Sequence, residues 1–124
     1  MKHLTDALLV LVVISMSSLY AQTPKLQFSS TAVPAGNSPR SAILVDLDRD
    51  GNRDLAVANI RGSTISLISG TGTGSFTLQE SIATIHKAPH AIASGDFNED
   101  GLLGAVTANR DSNTVSVFIV RWCG

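Results

Sequence analysis

The chain has 124 residues, of which 44% are hydrophobic and 15% charged, and its formal net charge is -1. This composition suits one small globular domain and excludes a disordered polyelectrolyte. With no Lys/Arg cluster it offers nothing to nucleic acid or to an anionic membrane, and its one cysteine, Cys123, can form neither an intrachain disulfide nor a thiolate zinc site.

Lys2 and His3 precede an apolar run from Ala7 to Ile14, a Ser-rich stretch follows, and Ala21 stands before Gln22. A basic start, a short apolar centre and a small residue at the cut describe a signal peptide over 1–21. The run is far shorter than the roughly 20 residues a membrane-spanning helix needs. The expected mature chain therefore has no membrane span and is secreted, extracellular or periplasmic. Residues 22–38 read as a linker, within which Leu26–Val33 resembles the segment after Phe76 and is a candidate stray blade strand.

From there the sequence repeats with a period of 50. Pro39 matches Pro89, Asp46 matches Asp96, Asp50-Gly51 matches Asp100-Gly101, Asn59 matches Asn109 and Thr64 matches Thr114, all at an offset of 50. Apolar positions follow: Ala58 with Ala108, Ile65 with Val115, Leu67 with Val117. Ile43 is answered by Ile92, one place out of step. Within the unit, Ala42–Val45, Leu55–Asn59, Thr64–Ser69 and Phe76–Ile85 read as short strands separated by Gly, Asn and Asp turns. A four-stranded antiparallel unit recurring every 40–50 residues is the signature of a β-propeller blade. The fold expected is all-β, with repeat 1 over 39–88 and a truncated repeat 2 over 89–124. That makes fewer than two complete blades. Both strand faces are apolar, as a blade packed between neighbours requires. Either the chain is a fragment of a longer propeller, the reading favoured here, or copies self-assemble through apolar blade faces.

Seven of the nine acidic residues beyond residue 21 crowd into two loops. The first, Asp46-Leu-Asp-Arg-Asp-Gly-Asn-Arg-Asp54, alternates carboxylates around a glycine. Clustered anions repel unless a cation neutralises them. Hard oxygen donors without imidazole or thiolate favour Ca2+, which takes six to eight oxygens. Asp46, Asp48, Asp50 and Asp54 are the expected side-chain ligands, with the backbone carbonyl of Asn52. It is not an EF-hand: the flanks are strand-like and position twelve is Val57 rather than a glutamate. The second loop keeps Asp96, Asn98 and Asp100, with Leu102 in the place of Asn52. Gly104 stands where the last carboxylate would be, so weaker binding is expected. The Gly70–Ser75 run lacks a following Gly-Lys-Ser/Thr and a helix, so it is a turn and not a phosphate cradle. His86 and His90 flank Pro89 and are read as loop residues. No catalytic arrangement is present, and an enzyme is not expected.

The segment Pro89–Phe118, with Gly-Asp-Phe-Asn-x-Asp-Gly at 95–101 and Ser-Asn-Thr-Val-Ser-Val at 112–117, resembles the FG-GAP or VCBS-type repeat. Val45–Asn59 is similar to the same repeat, and the resemblance spans about 39–118. Such repeats form propeller blades like those of integrin α chains. The resemblance implies a calcium loop, complete at 46–54 and incomplete at 96–104, and a binding, adhesion or scaffolding role with a protein or glycan ligand. The alternative it leaves open is an accessory or carbohydrate-binding domain beside an extracellular enzyme.

Overall fold

In the computed structural model the described residues are 25–84 and 86–121. Segment 1–21, expected from the sequence to be a signal peptide, lies outside them, as does Cys123. The chain divides into a unit ending at Thr31 and a unit from Ala32 onward. Residues 25–31 of the first carry no regular structure, and neither do 32–36, so the candidate strand at 26–33 is not formed.

The second unit is built from seven strands: β1 (Pro39–Val45), β2 (Asp54–Asn59), β3 (Thr64–Gly70), β4 (Phe76–Ala83), β5 (Pro89–Gly95), β6 (Gly104–Asn109) and β7 (Thr114–Phe118). They form a four-stranded meander in the order β1-β2-β3-β4 and a three-stranded one in the order β5-β6-β7, all antiparallel. This is the all-β blade architecture expected, with one complete blade and a second of three strands. His90 falls within β5 rather than in the loop before it.

The period of 50 extends to the backbone. Positive φ recurs at Ser38 and Ala88 (59° each), Arg49 and Glu99 (63° and 58°), and Ser63 and Asn113 (49° and 53°). Turn hydrogen bonds repeat as well: Ile60 N–H donates to Ser38 O at 2.9 Å, and Arg110 N–H to Ala88 O at 3.0 Å. Each β1-type strand also slips register just after its proline, at Pro39/Ser41 and Pro89/Ala91. Proline lacks the N–H that a regular ladder would need there.

A buried asparagine closes each blade at the same place. Asn59 Nδ2 donates to Thr64 Oγ1 at 3.0 Å and Ser66 Oγ at 2.9 Å, and its Oδ1 accepts Gly36 N–H at 3.2 Å. Asn109 Nδ2 reaches Thr114 Oγ1 at 3.2 Å and Ser116 Oγ at 2.7 Å, while its Oδ1 accepts the Thr107 hydroxyl at 3.0 Å. Both amides are satisfied, which is the condition for burying them at little cost.

Cross-strand pairing assigns each side chain to a face. Ile43, Ala56, Ala58, Ile65 and Leu67 share one face of the first sheet. Ile92, Ala105 and Phe118 share one face of the second. These two faces pack on each other, with Leu47 at the margin, to make the core. The one-place slip between Ile43 and Ile92 thereby gains a reason. A shift of one residue moves a side chain to the opposite face of a strand, so the two isoleucines point into one shared interface. Burying a side chain such as Ile65 there contributes about 1.5–3 kcal/mol.

Candidate metal centre

The β1–β2 loop carries the first acidic cluster. One carboxylate oxygen from each of Asp46, Asp48 and Asp50 lies within 4.8 Å of the others. The loop curls because Arg49 and Gly51 both take positive φ, 63° and 86°. Side chains then fasten the curl. Asp46 Oδ2 accepts Gly51 N–H at 3.1 Å, Asp48 Oδ1 accepts Asp50 N–H at 3.1 Å, and Asp50 Oδ1 accepts Asn52 N–H at 2.7 Å. The Asn52 amide also donates to Asp50 Oδ2 at 3.2 Å.

Two observations bear on whether a cation fits. Asp46 Oδ1 is buried and has no hydrogen-bond partner among the described residues, and a buried anionic oxygen without a partner is costly. Calcium holds its oxygens at about 2.3–2.6 Å, so oxygens on opposite sides of one ion stand roughly 5 Å apart; the trio falls inside that span. Charge crowding acts in the same direction. The Asp50 N–H bond pulls the Asp48 pKa down, but desolvation and the charges of Asp54 and Asp50 outweigh it, and the net shift is upward. Asp50 is shifted downward by the Asn52 backbone N–H and side-chain amide. The donor set fits a hard divalent cation.

Asp54 has a different setting. It is buried, its Oδ2 accepts Leu47 N–H at 3.0 Å, and its Oδ1 accepts Gly70 N–H at 3.0 Å. One carboxylate thus ties the start of the loop to the end of β3. Each oxygen keeps a further lone pair, so this bonding is compatible with the ligand role expected from the sequence.

The β5–β6 loop repeats the curl, with Glu99 at φ 58° and Gly101 at φ 81°, but here neither oxygen of the first aspartate is left without a partner. Asp96 accepts Asp100 N–H at 3.1 Å and Gly101 N–H at 2.7 Å, one on each oxygen. Asp100 takes Leu102 N–H at 2.9 Å and the Asn98 amide at 2.9 Å. Its pKa is lowered by the Leu102 N–H first, then by Asn98, with the Arg49 charge adding to them. Arg49 arrives from the first loop: its Nη2 donates to Gly101 O at 2.9 Å. A guanidinium therefore already supplies positive charge to the second loop, a feature that spacing within either repeat could not reveal. Among the described residues, no trio of carboxylates forms there.

The loss of the last carboxylate also has a steric cause. A Cβ on Gly104 would run into the Phe118 carbonyl, and the Phe97 ring lies across Gly95 and Gly104. An aspartate cannot be restored at 104 without moving β7.

The two loop glycines separate backbone cost from contact cost. A Cβ on Gly51 meets nothing within 4 Å, so Gly51→Ala is expected to cost only the left-handed backbone penalty, about 1–2 kcal/mol. A Cβ on Gly101 would come within 2.6 Å of the Arg49 guanidinium, the movable end of an exposed side chain, so Gly101→Ala should add to the backbone penalty no more than the loss of the Arg49–Gly101 hydrogen bond, about 0.5–1.5 kcal/mol. Urea denaturation of the two variants measures the difference; equal losses would count against the Arg49 bridge.

A family model of the FG-GAP-like repeat matches residues 46–107, half of the chain. The matched stretch begins at the first residue of the acidic trio and runs through the second loop. No curated protein and no solved structure matches the chain.

Proposed function

The chain belongs to the FG-GAP-like repeat family, a family of structural and binding repeats, and from that premise we propose that it is an extracellular calcium-stabilised blade module with a binding, adhesion or scaffolding role. The observation that carries the calcium assignment is the buried, unpartnered Asp46 Oδ1 beside the carboxylates of Asp48 and Asp50. Asp46, Asp48 and Asp50 would hold the ion, with Asp54 and the Asn52 carbonyl completing the protein's share and water the remainder. The ion's part is structural: it neutralises the crowded loop and fixes the β1–β2 connection. Asp96, Asn98, Asp100 and the Leu102 position would form the weaker second site, opposed by Arg49. Export is supported by the signal-like segment 1–21 and by the typical location of such repeats outside the cell. No described helix is long and apolar enough to cross a membrane.

Isothermal titration with Ca2+ tests the assignment. One site per chain is expected to dominate, and Asp46→Asn should remove it. Arg49→Ala should strengthen the second, weaker uptake several-fold, because a fixed cation no longer opposes it. No heat from any site at millimolar Ca2+ would dispose of the calcium reading.

A further inference from the structure

The two acidic loops share one side chain. Arg49 lies between Asp48 and Asp50 in the β1–β2 loop, yet its Nη2 donates to Gly101 O in the β5–β6 loop at 2.9 Å. That contact joins residues 52 apart in sequence and links the two sheets. An ionised acceptor holds a guanidinium more strongly than a carbonyl does. Even so, among the described residues Arg49 forms no ion pair with either flanking carboxylate.

The local backbone accounts for this. Arg49 takes φ 63°, a left-handed conformation that a residue with a side chain adopts only under constraint. The neighbouring carboxylates are turned into the curl. Asp48 Oδ1 accepts Asp50 N–H and Asp50 Oδ1 accepts Asn52 N–H, and one oxygen of each lies within 4.8 Å of one on Asp46. The Arg49 side chain is left to reach the second loop. There it meets a glycine already held by its N–H, which donates to Asp96 Oδ2 at 2.7 Å. Gly101 is thus fixed through both of its backbone groups. The repeat itself does not call for arginine here: the residue 50 places on, at the same left-handed position, is Glu99, of opposite charge.

We propose that Arg49 is a latch that makes the order of the second loop depend on the cation in the first. The inference rests on the calcium reading above. With the first loop empty, the carboxylates of Asp48 and Asp50 compete for the guanidinium, and their mutual repulsion loosens the curl that aims it. With a cation held among them, those carboxylates are engaged, the curl is fixed, and Gly101 O is the acceptor that remains. Order imposed on the first loop therefore reaches residues that the cation does not touch. Linkage makes the effect reciprocal: a second loop held by Arg49 favours uptake at the first.

Hydrogen exchange read by mass spectrometry tests this on the full chain, in EDTA and in Ca2+ just sufficient to fill the first loop. Exchange should slow within 46–54, and within 96–104 by about two- to tenfold, the span of one net hydrogen-bond contribution. Arg49→Ala should keep the slowing at 46–54 and lose it at 96–104. Asp46→Asn should lose both, which separates a latch from direct uptake of the ion by the second loop. Slowing at 46–54 with none at 96–104 in the parent chain overturns the latch and leaves the calcium reading standing. Slowing at 96–104 that survives either substitution overturns the latch as well. No slowing at 46–54 overturns the calcium reading and the latch with it.

Discussion

Saturating calcium should raise the melting temperature of this protein by roughly 10–20 °C over its value in EDTA. A ligand that binds only the folded form stabilises it by about 2.7 kcal/mol at a hundredfold excess over Kd, and each kcal/mol moves the midpoint of a domain this small by about 4–8 °C. Asp48→Ala should abolish that gain. Asp48 is exposed and its one hydrogen bond is to Asp50 N–H within the loop, so the folded state loses little else. In EDTA the variant should melt at or slightly above the parent, because removing a carboxylate relieves the crowding that pushes the Asp48 pKa up. A melt indifferent to calcium in the parent chain would end the case for a structural ion.

Asp54→Ala should act in the opposite way, with a loss of roughly 3 kcal/mol even in EDTA, since hydrogen bonds to a charged acceptor contribute about 1.5–3 kcal/mol each. Two such bonds, to Leu47 and Gly70 at 3.0 Å, would be lost from a buried site, leaving both N–H groups without that acceptor. Denaturant unfolding in EDTA measures the effect directly. If Asp54→Ala and Asp48→Ala proved alike in EDTA, the bridging role of Asp54 would be wrong. The contrast separates a residue whose main work is with the ion from one that also closes the loop onto β3.

Much of this was readable from the amino acids. The period of 50, the turn glycines and the alternation in Thr64–Ser69 specify the strands, because two-residue alternation and turn chemistry are local properties. Strand ends differed by a few residues: β1 reaches back to Pro39 and β4 ends at Ala83, where Ile85 had been expected. The likeness of Leu26–Val33 to the segment after Phe76 did not suffice for a strand, since a strand also needs an edge to pair with.

The acidic trio was equally legible, because carboxylates two residues apart on a curled loop converge without help from the rest of the fold. What the second loop lacks was visible at Gly104, but the reasons were not. They lie in the Phe118 carbonyl, the Phe97 ring and an arginine 52 residues away in sequence.

By itself, then, the sequence determined the blade, its repeat and the first loop, all consequences of spacing along one stretch of chain. Only the tertiary structure decided which face of each sheet is covered. Ile43 and Ile92 looked like an imperfect match within the repeat. They fall out of step because they occupy opposite faces of successive blades, and only the packing of one sheet on the next brings those faces together.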